Sequence, residues 1–353
     1  MTKRVAVIAG DGIGPEVTAQ ALNVLAELQR TRGVDLTTWE LPLGAELYLR
    51  DGTTFPLELR EEVRRTCSAV FLGAVGDPRV PEGEHAHDIL MGMRQGWDLY
   101  ANVRPARALS DALVPLRGKK ARSVSLVIFR ENTEGQYVGG GRERARGTAE
   151  ELTISQEVHT RAGVERLLRA AFQHASSHQL PLVMTDKSNA IRAQGLWRRV
   201  FDELRAEFPA VSAEHQYVDA LAARVIQTPE QYGVIATNNL FGDILGDLCA
   251  ALSGGLGLAP SANLHPAQPG HIGLFEPVHG SAPDIAGRDR ANPLGAIRSL
   301  GMLLEHVGYP EELARIEHAS AEVLRLGRCT VDVGGNLGTR AAGAAFLEVL
   351  AGC

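Results

Sequence analysis

Lysine is nearly absent from this chain. Only Lys3, Lys119, Lys120 and Lys187 occur among 36 basic residues, so arginine carries almost all of the positive charge. Long apolar runs are missing too: none reaches the roughly 18 residues that a membrane-spanning helix needs. The apolar run that follows Met1–Thr2–Lys3–Arg4 stops at Asp11, too early for the core of a secretory signal. Cysteine is sparse. Cys67, Cys249, Cys329 and Cys353 have no metal-knuckle spacing, which leaves free thiols and the expectation of a cytoplasmic protein. A net charge of −6 argues against nucleic acid as a main partner. No repeat and no low-complexity linker interrupts the 353 residues, and 44% hydrophobic content is ample for two lobes.

A chain that uses arginine almost everywhere nevertheless has a lysine at 187, within Thr185–Asp186–Lys187–Ser188–Asn189. Arginine does not give up its proton in a protein, whereas a partly buried lysine can. Proton transfer therefore explains a lysine here, although a surface residue at a strand end is also compatible with the sequence.

Asp243 and Asp247 stand four apart in a run with helical apolar spacing (Leu240, Ile244, Leu245, Leu248). Such a pair projects from one helical face and holds like charges side by side, which invites a cation. Asp219 is a third acid in an otherwise apolar stretch. Oxygen ligands without neighbouring Cys or His suit Mg²⁺ or Mn²⁺ rather than zinc. Spacing alone leaves an alternative equally open, namely a helix start that favours acids.

Arg94 and Arg104 bracket residues 95–103, and Arg130 follows the strand-like Val124–Phe129, with Tyr137 seven residues on. Guanidinium forks match carboxylates in a bidentate way. Singly, each arginine reads as a solvated charge. Together with a divalent cation, a lysine and a tyrosine, they describe a pocket for a small polycarboxylate.

The pattern along the chain is α/β. Strands are expected at 4–9, 69–73, 123–129, 181–185 and 233–237, and helices at 15–31, 56–66, 161–178, 194–208 and 311–325. Gly10–Asp11–Gly12–Ile13–Gly14 mimics the start of a dinucleotide-binding fingerprint, but Val17 occupies the place of its last glycine.

From Gly10–Asp11–Gly12–Ile13–Gly14–Pro15–Glu16 to Gly334–Gly335–Asn336–Leu337–Gly338–Thr339, the chain resembles the β-decarboxylating dehydrogenases. This family includes the isocitrate, isopropylmalate, homoisocitrate, tartrate and D-malate enzymes. The most specific pieces are the segment around Asp243 and Asp247, and Leu274–Gly287. The resemblance implies a two-lobed α/β fold that is not a Rossmann fold. Residues 1–101 and 255–353 would form the first lobe, 102–254 the second, and about 138–155 an arm clasping a second subunit. It also implies a homodimer, possibly a tetramer, with shared active sites.

By the same resemblance, Asp243 and Asp247 bind the metal with Asp219 of the other subunit, whose Lys187 helps remove the substrate's hydroxyl proton. Arg94, Arg104 and Arg130 hold carboxylates, and Tyr137 returns a proton after CO₂ leaves. Ile13, His279, Gly280, Ser281, Ala282, Asp284, Ile285 and Asn292 border the nicotinamide cofactor. Asp284 selects NAD, because a carboxylate accepts from the ribose hydroxyls and repels a 2′-phosphate. The complete set argues against a catalytically inactive regulatory subunit.

For the substrate, the resemblance points first to (R)-malate, tartrate or a C3-substituted malate. The alternatives are a 3-isopropylmalate or homoisocitrate-type enzyme, or a specialised biosynthetic relative. Arg130–Glu131–Asn132 replaces the Arg-Glu-Leu usual in leucine biosynthesis. Ile89, Leu90, Met91 and Gly92 stand where isocitrate enzymes offer Ser and Asn, so a third carboxylate would meet apolar side chains at a cost of several kcal/mol. Thr185–Asn189 and Pro260–Leu264 resemble the D-malate and tartrate branch, and Asp98–Asn102 the homoisocitrate branch. His85, His87 and Asp88 crowd the loop that reads the C3 substituent.

Overall fold

The structure is a computed structural model that describes residues 2–80 and 83–352. Its strands are β1 (Lys3–Gly10), β2 (Leu36–Glu40), β3 (Ala69–Ala74), β4 (Ala101–Arg107), β5 (Ser125–Glu131), β6 (Gly141–Arg144), β7 (Leu152–Ser155), β8 (Leu182–Asp186), β9 (Ala213–Tyr217), β10 (Val234–Thr237), β11 (Pro260–Leu264) and β12 (Gly273–Pro277). The helices are α1 (Gly14–Arg32), α2 (Ala45–Asp51), α3 (Leu57–Thr66), α4 (Glu84–Arg94), α5 (Arg161–His178), α6 (Gly195–Glu207), α7 (Val218–Gln227), α8 (Asn239–Leu252), α9 (Leu294–His306), α10 (Pro310–Arg325) and α11 (Thr339–Ala351). Each strand and helix expected from periodicity appears within two residues of its place, as α1 does at Gly14–Arg32, where a proline starts it and the left-handed Gly33 ends it.

Ten strands form one sheet in the order β2-β1-β3-β12-β11-β4-β5-β10-β8-β9. The outer blocks are parallel, whereas β11 is antiparallel to β12 and β4, and β4 is antiparallel to β5. The two parallel blocks consequently run in opposite directions. This mixed topology differs from the doubly wound parallel sheet of a Rossmann fold.

Side chains alternate across a strand, and the alternation sorts the core into four apolar clusters, two on each face. On one face Val5, Val7, Phe71 and Phe275 pack under α1, α9, α10 and α11, while Val127, Phe129, Leu182 and Met184 pack under α5 and α6. On the other, Ile8, Leu72 and Leu274 meet α3 and α4, while Leu126, Ile128, Val183 and Ile235 meet α7 and α8. Between the last two clusters the apolar pattern lapses into a polar row. The site lies there.

Burial also sets a pH response. His174 on α5 lies 5.2 Å from the Phe129 ring and stacks on His178 at 4.1 Å. Desolvation, aided by His178, lowers its pKa from 6.5 to about 4. Between those values the unfolded chain binds a proton that the folded chain refuses. Stability therefore falls as pH drops from about 6.5 to about 4, by on the order of 1–3 kcal/mol, and the loss levels off below. Thermal unfolding of His174→Gln at pH 7 and pH 5 should show a smaller drop in Tm than the unmodified chain; an equal drop removes His174 as its source.

Cys67, Cys249 and Cys329 are buried free thiols, while Cys353 lies outside the described residues. Among the described residues, no helix is long and apolar enough to cross a membrane.

Candidate active site

The polar row comes from strand positions that point to the same face as Ile128 and Leu274. Arg104 Nε donates to Asn102 Oδ1 (2.6 Å), Asn102 Nδ2 to Asn263 Oδ1 (2.9 Å), and Asn263 Nδ2 to Glu276 Oε1 (2.9 Å). Glu276 then receives Arg94 Nη2 from the end of α4 at 2.7 Å. This rail fixes two guanidiniums by side chains that are themselves buried. Glu276 went unrecognised in the sequence, although an acid inside Leu274–Phe275–Glu276–Pro277 was the available signal.

Helix α8 covers the row beside β4 and β5. Asn238 caps it by accepting from the Phe241 N–H, and Leu245 and Cys249 seat it in the apolar cluster. Its close approach depends on two glycines one turn apart. A Cβ on Gly242 would lie 2.6 Å from the Arg130 side chain, and one on Gly246 would lie 2.7 Å from Arg104. The aspartates that follow each glycine meet the same arginines. Arg104 contacts Asp243 at 3.1 Å and Asp247 at 3.4 Å, Arg130 pairs with Asp243, and Tyr137 Oη donates to Asp243 at 2.9 Å.

The electrostatics follow from this crowding. Burial alone would raise the Asp243 carboxyl, but Arg130, Arg104 and the Tyr137 hydroxyl outweigh it and hold the group below its usual range. Asp247 goes the other way, raised by burial and by the charge of Asp243 despite Arg104. Burial and the neighbouring Arg104 and Arg94 charges lower Arg130. Burial and Asp243 raise the Tyr137 phenol, which stays protonated through the neutral range. Arg94 is matched by Glu276, and Arg104 and Arg130 by Asp243 and Asp247, so charge balances as the site stands; a cation taken up by the two α8 carboxylates would free Arg104 and Arg130 for an anion.

Helix α4 presents two stripes. His85, Ile89 and Met93 are buried against the core. Leu90 and His87, one and two turns before Arg94, lie on the stripe that ends at that arginine, with Leu90 half-buried and His87 exposed. The sequence places His85, His87 and Asp88 together on a loop near the C3 substituent, with His87 as the substrate contact; they lie instead on α4, and helical phase separates them. His85 turns inward to Asp11, and Asp88 accepts from the Thr54 hydroxyl, so both anchor the helix. Asn132 also proves architectural, donating to Leu99 O (3.0 Å) and Asn263 Oδ1 (2.9 Å).

Lys187 and Asp219 form a separate group. Lys187 follows β8, Asp219 opens α7, and the two pair at 2.8 Å. The Lys187 ammonium holds the Asp219 carboxyl below its usual range. Among the described residues no hydrogen bond or ion pair joins this pair to Asp243 or Asp247, and no three His, Cys, Asp or Glu side chains converge to hold a metal.

The expected cofactor segment folds against the loop after β1. Ile13 N–H donates to Ser281 O at 2.8 Å, and a Cβ on Gly12, at φ +57°, would stand 1.9 Å from that oxygen. Ala282 is held at φ +39° in the left-handed region, and Ile285 N–H closes a turn on its carbonyl. Gly280 and Asp284 are exposed to solvent, and Ile285 is half-buried. His279 Nε2 is buried without a partner, an orphaned group that a ligand could satisfy, and burial lowers its pKa. Asn292 differs: its side chain is engaged by Asp332 (2.9 Å) and the Leu294 N–H (3.0 Å).

The profile of the isocitrate/isopropylmalate dehydrogenase family matches residues 4–348. A 3-isopropylmalate dehydrogenase from Thermobifida fusca is 42% identical over 328 residues, 92% of each chain. One from Nocardia farcinica is 43% identical over 336 residues, covering 94% of this chain and 98% of that protein. The crystal structure of isocitrate dehydrogenase from Methylococcus capsulatus superposes with a TM-score of 0.88 at 34% identity, over 99% of both chains. The chain belongs to the isocitrate/isopropylmalate dehydrogenase family, and it is an enzyme, a decarboxylating dehydrogenase.

Proposed function

We propose that the chain catalyses the NAD-dependent, divalent-metal-dependent oxidative decarboxylation of a C3-substituted (2R)-malate whose substituent is a short alkyl group, as in 3-isopropylmalate. The observation that carries this reading is the α4 stripe, on which half-buried Leu90 stands one turn from Arg94. An apolar side chain beside a carboxylate-binding arginine suits an alkyl branch and strands an additional carboxylate. The names of the relatives favour 3-isopropylmalate over the unsubstituted malate or tartrate expected first. Asn132 gives no contrary signal, because it binds Leu99 O and Asn263. A homoisocitrate-type substrate is the second reading, supported by exposed His87 further along the same stripe.

Asp243 and Asp247 fit a hard divalent cation, Mg²⁺ or Mn²⁺, with Asp219 of a second subunit as third ligand. Such a cation polarises the substrate's oxygens and stabilises charge that develops at the enolate stage. Arg94, Arg104 and Arg130 grip the carboxylates. As the substrate arrives, the guanidiniums that now pair with Asp243 exchange that partner for substrate carboxylates. Lys187, as the neutral amine, would accept the substrate's hydroxyl proton, and Tyr137 Oη would protonate the carbon left after CO₂ departs; a bound nicotinamide would supply the hydride acceptor. His279, Ser281 and the Ala282–Ile285 turn would border the cofactor, with Asp284 toward the ribose and NAD favoured over NADP. Asn292 would contribute through its backbone.

The supported assembly is a homodimer with shared sites. One chain offers Asp243 and Asp247 but no third converging acid among the described residues. The β6–β7 ribbon is an exposed two-stranded hairpin carrying Leu152 at 40% exposure, and such a ribbon is marginal unless something packs on it. The buried members of two apolar clusters come from residues 5–99 and 258–350 and those of the other two from 100–252, which supports lobes divided near 101 and 255, 1–101 with 255–353 and 102–254.

Two measurements test the reading. Isolated protein with Mn²⁺, NAD and (2R,3S)-3-isopropylmalate should form NADH and CO₂ in equal amounts and stop on chelation; NADH without CO₂ contradicts it. Activity with NAD should exceed that with NADP at least tenfold in kcat/KM, about 1.4 kcal/mol, and Asp284→Ala should narrow the gap. Equal use of both cofactors by the unmodified chain removes Asp284 as the selector.

A further inference from the structure

His85 is the only polar side chain on the buried stripe of α4, and it is fully buried. Its Nε2 lies 2.8 Å from Asp11 Oδ2, while its Nδ1 has no partner. Asp11 is itself buried and collects two further donors, the Ala45 N–H on Oδ1 at 2.6 Å and the Gly76 N–H on Oδ2 at 2.8 Å. Its neighbours Gly10 and Gly12 have positive φ, and a Cβ on Gly44 would reach within 2.6 Å of Asp11 Oδ1. The carboxylate therefore occupies a socket that Gly44 leaves open, on a loop whose turn Gly10 and Gly12 permit.

On its other side Asp11 leads into the cofactor segment. The next two residues meet Ser281 O, Gly12 by close approach and Ile13 by its N–H, and Ser281 Oγ faces Gly76, the residue that donates to Asp11. One continuous path of short contacts thus joins α4, the helix that ends in Arg94, to the turn at 279–285.

We propose that His85 is a positioning residue that couples the substrate-reading helix to the cofactor turn through Asp11. It touches neither ligand. Its donated hydrogen bond sets the depth at which α4 sits and holds the carboxylate that supports Gly76 and the Gly12–Ile13 step beneath Ser281. The flanking ties, Tyr48 Oη to Glu84 (2.5 Å) and Thr54 to Asp88, join α4 to α2 and the turn after it and reach no residue of the cofactor turn. The inference rests on the reading that α4 binds the substrate and residues 279–285 the cofactor.

The test is fluorescence titration with NADH, which needs no turnover, alongside steady-state kinetics with Mn²⁺ and 3-isopropylmalate. His85→Phe fills the volume without the donor. It should weaken NADH binding on the order of fivefold or more, the lower range of site-to-site coupling. It should raise KM for the substrate similarly, with kcat changed much less. His85→Gln, which carries an amide donor of similar reach, should restore both. Should His85→Phe fail to fold, His85→Asn removes the donor's reach while remaining polar and should give the same pattern. A folded variant with a lowered Tm but unmodified NADH affinity and KM makes His85 merely structural and overturns the inference alone. A wild-type chain that binds no NADH overturns the functional reading and the inference with it.

Discussion

Asp243→Asn should lower kcat/KM by at least about a thousandfold, because a metal's stabilisation of developing charge is worth several kcal/mol and each 1.36 kcal/mol is tenfold. The substitution keeps the side chain's size and its acceptor oxygen for Tyr137, so packing changes little. Charge changes greatly. Arg130 is almost entirely buried and loses the carboxylate that faces it. Leaving a buried charge unpaired costs about 3–5 kcal/mol, so the Tm should fall as well. Added dicarboxylate should recover part of that loss by supplying the missing anion. An Asp243→Asn protein with activity within tenfold of the unmodified chain would show that the α8 carboxylates do not hold the metal.

The second large effect tests the shared site. Lys187→Ala and Tyr137→Phe should each lower kcat by on the order of 10²–10⁴, the usual contribution of a positioned proton-transfer group. Mixed after subunit exchange, the two inactive proteins should regain activity. Half of the dimers are then mixed, and one site in each contains both native residues, so recovery approaches about a quarter of the native rate. The present geometry motivates this experiment. Lys187 and Asp219 pair with each other, and among the described residues no hydrogen bond or ion pair joins them to Tyr137 or Asp243. Dimers proven to be mixed yet showing no recovery would mean that each chain builds its own site.

Much of this was legible in the sequence because the relevant signals are local. The spacing of Asp243 and Asp247 fixes a helical face, and the structure adds that Gly242 and Gly246 prepare that face for two arginines. The lysine count singled out Lys187 without any fold. The failures were of a different kind, since they required knowing what each side chain faces across the sheet. His85 and Asp88 lie within three residues of His87 in sequence, yet helical phase sends His85 into the core and ties Asp88 to Thr54. Asn132 resembled a substrate marker, yet it is a donor in a buried network assembled from three distant strands. Asp98 and Tyr100 likewise looked like branch markers. Instead Asp98, at φ +53°, receives Arg166 at 2.7 Å, and that guanidinium lies 4.4 Å over the Tyr100 ring. Glu276 escaped notice because its role exists only once β12 lies beside β11. Long-range pairing is the information a single sequence displays least.

The most direct test of the account is the order of kcat/KM values for a matched series with Mn²⁺ and NAD: (R)-malate, D-tartrate, 3-methylmalate, 3-isopropylmalate, homoisocitrate and isocitrate. The account predicts that 3-isopropylmalate exceeds (R)-malate at least tenfold, since burying the branch against Leu90 is worth about 0.8 kcal/mol per carbon, and that isocitrate is the poorest. A ranking led by isocitrate, or by unsubstituted malate, would contradict it.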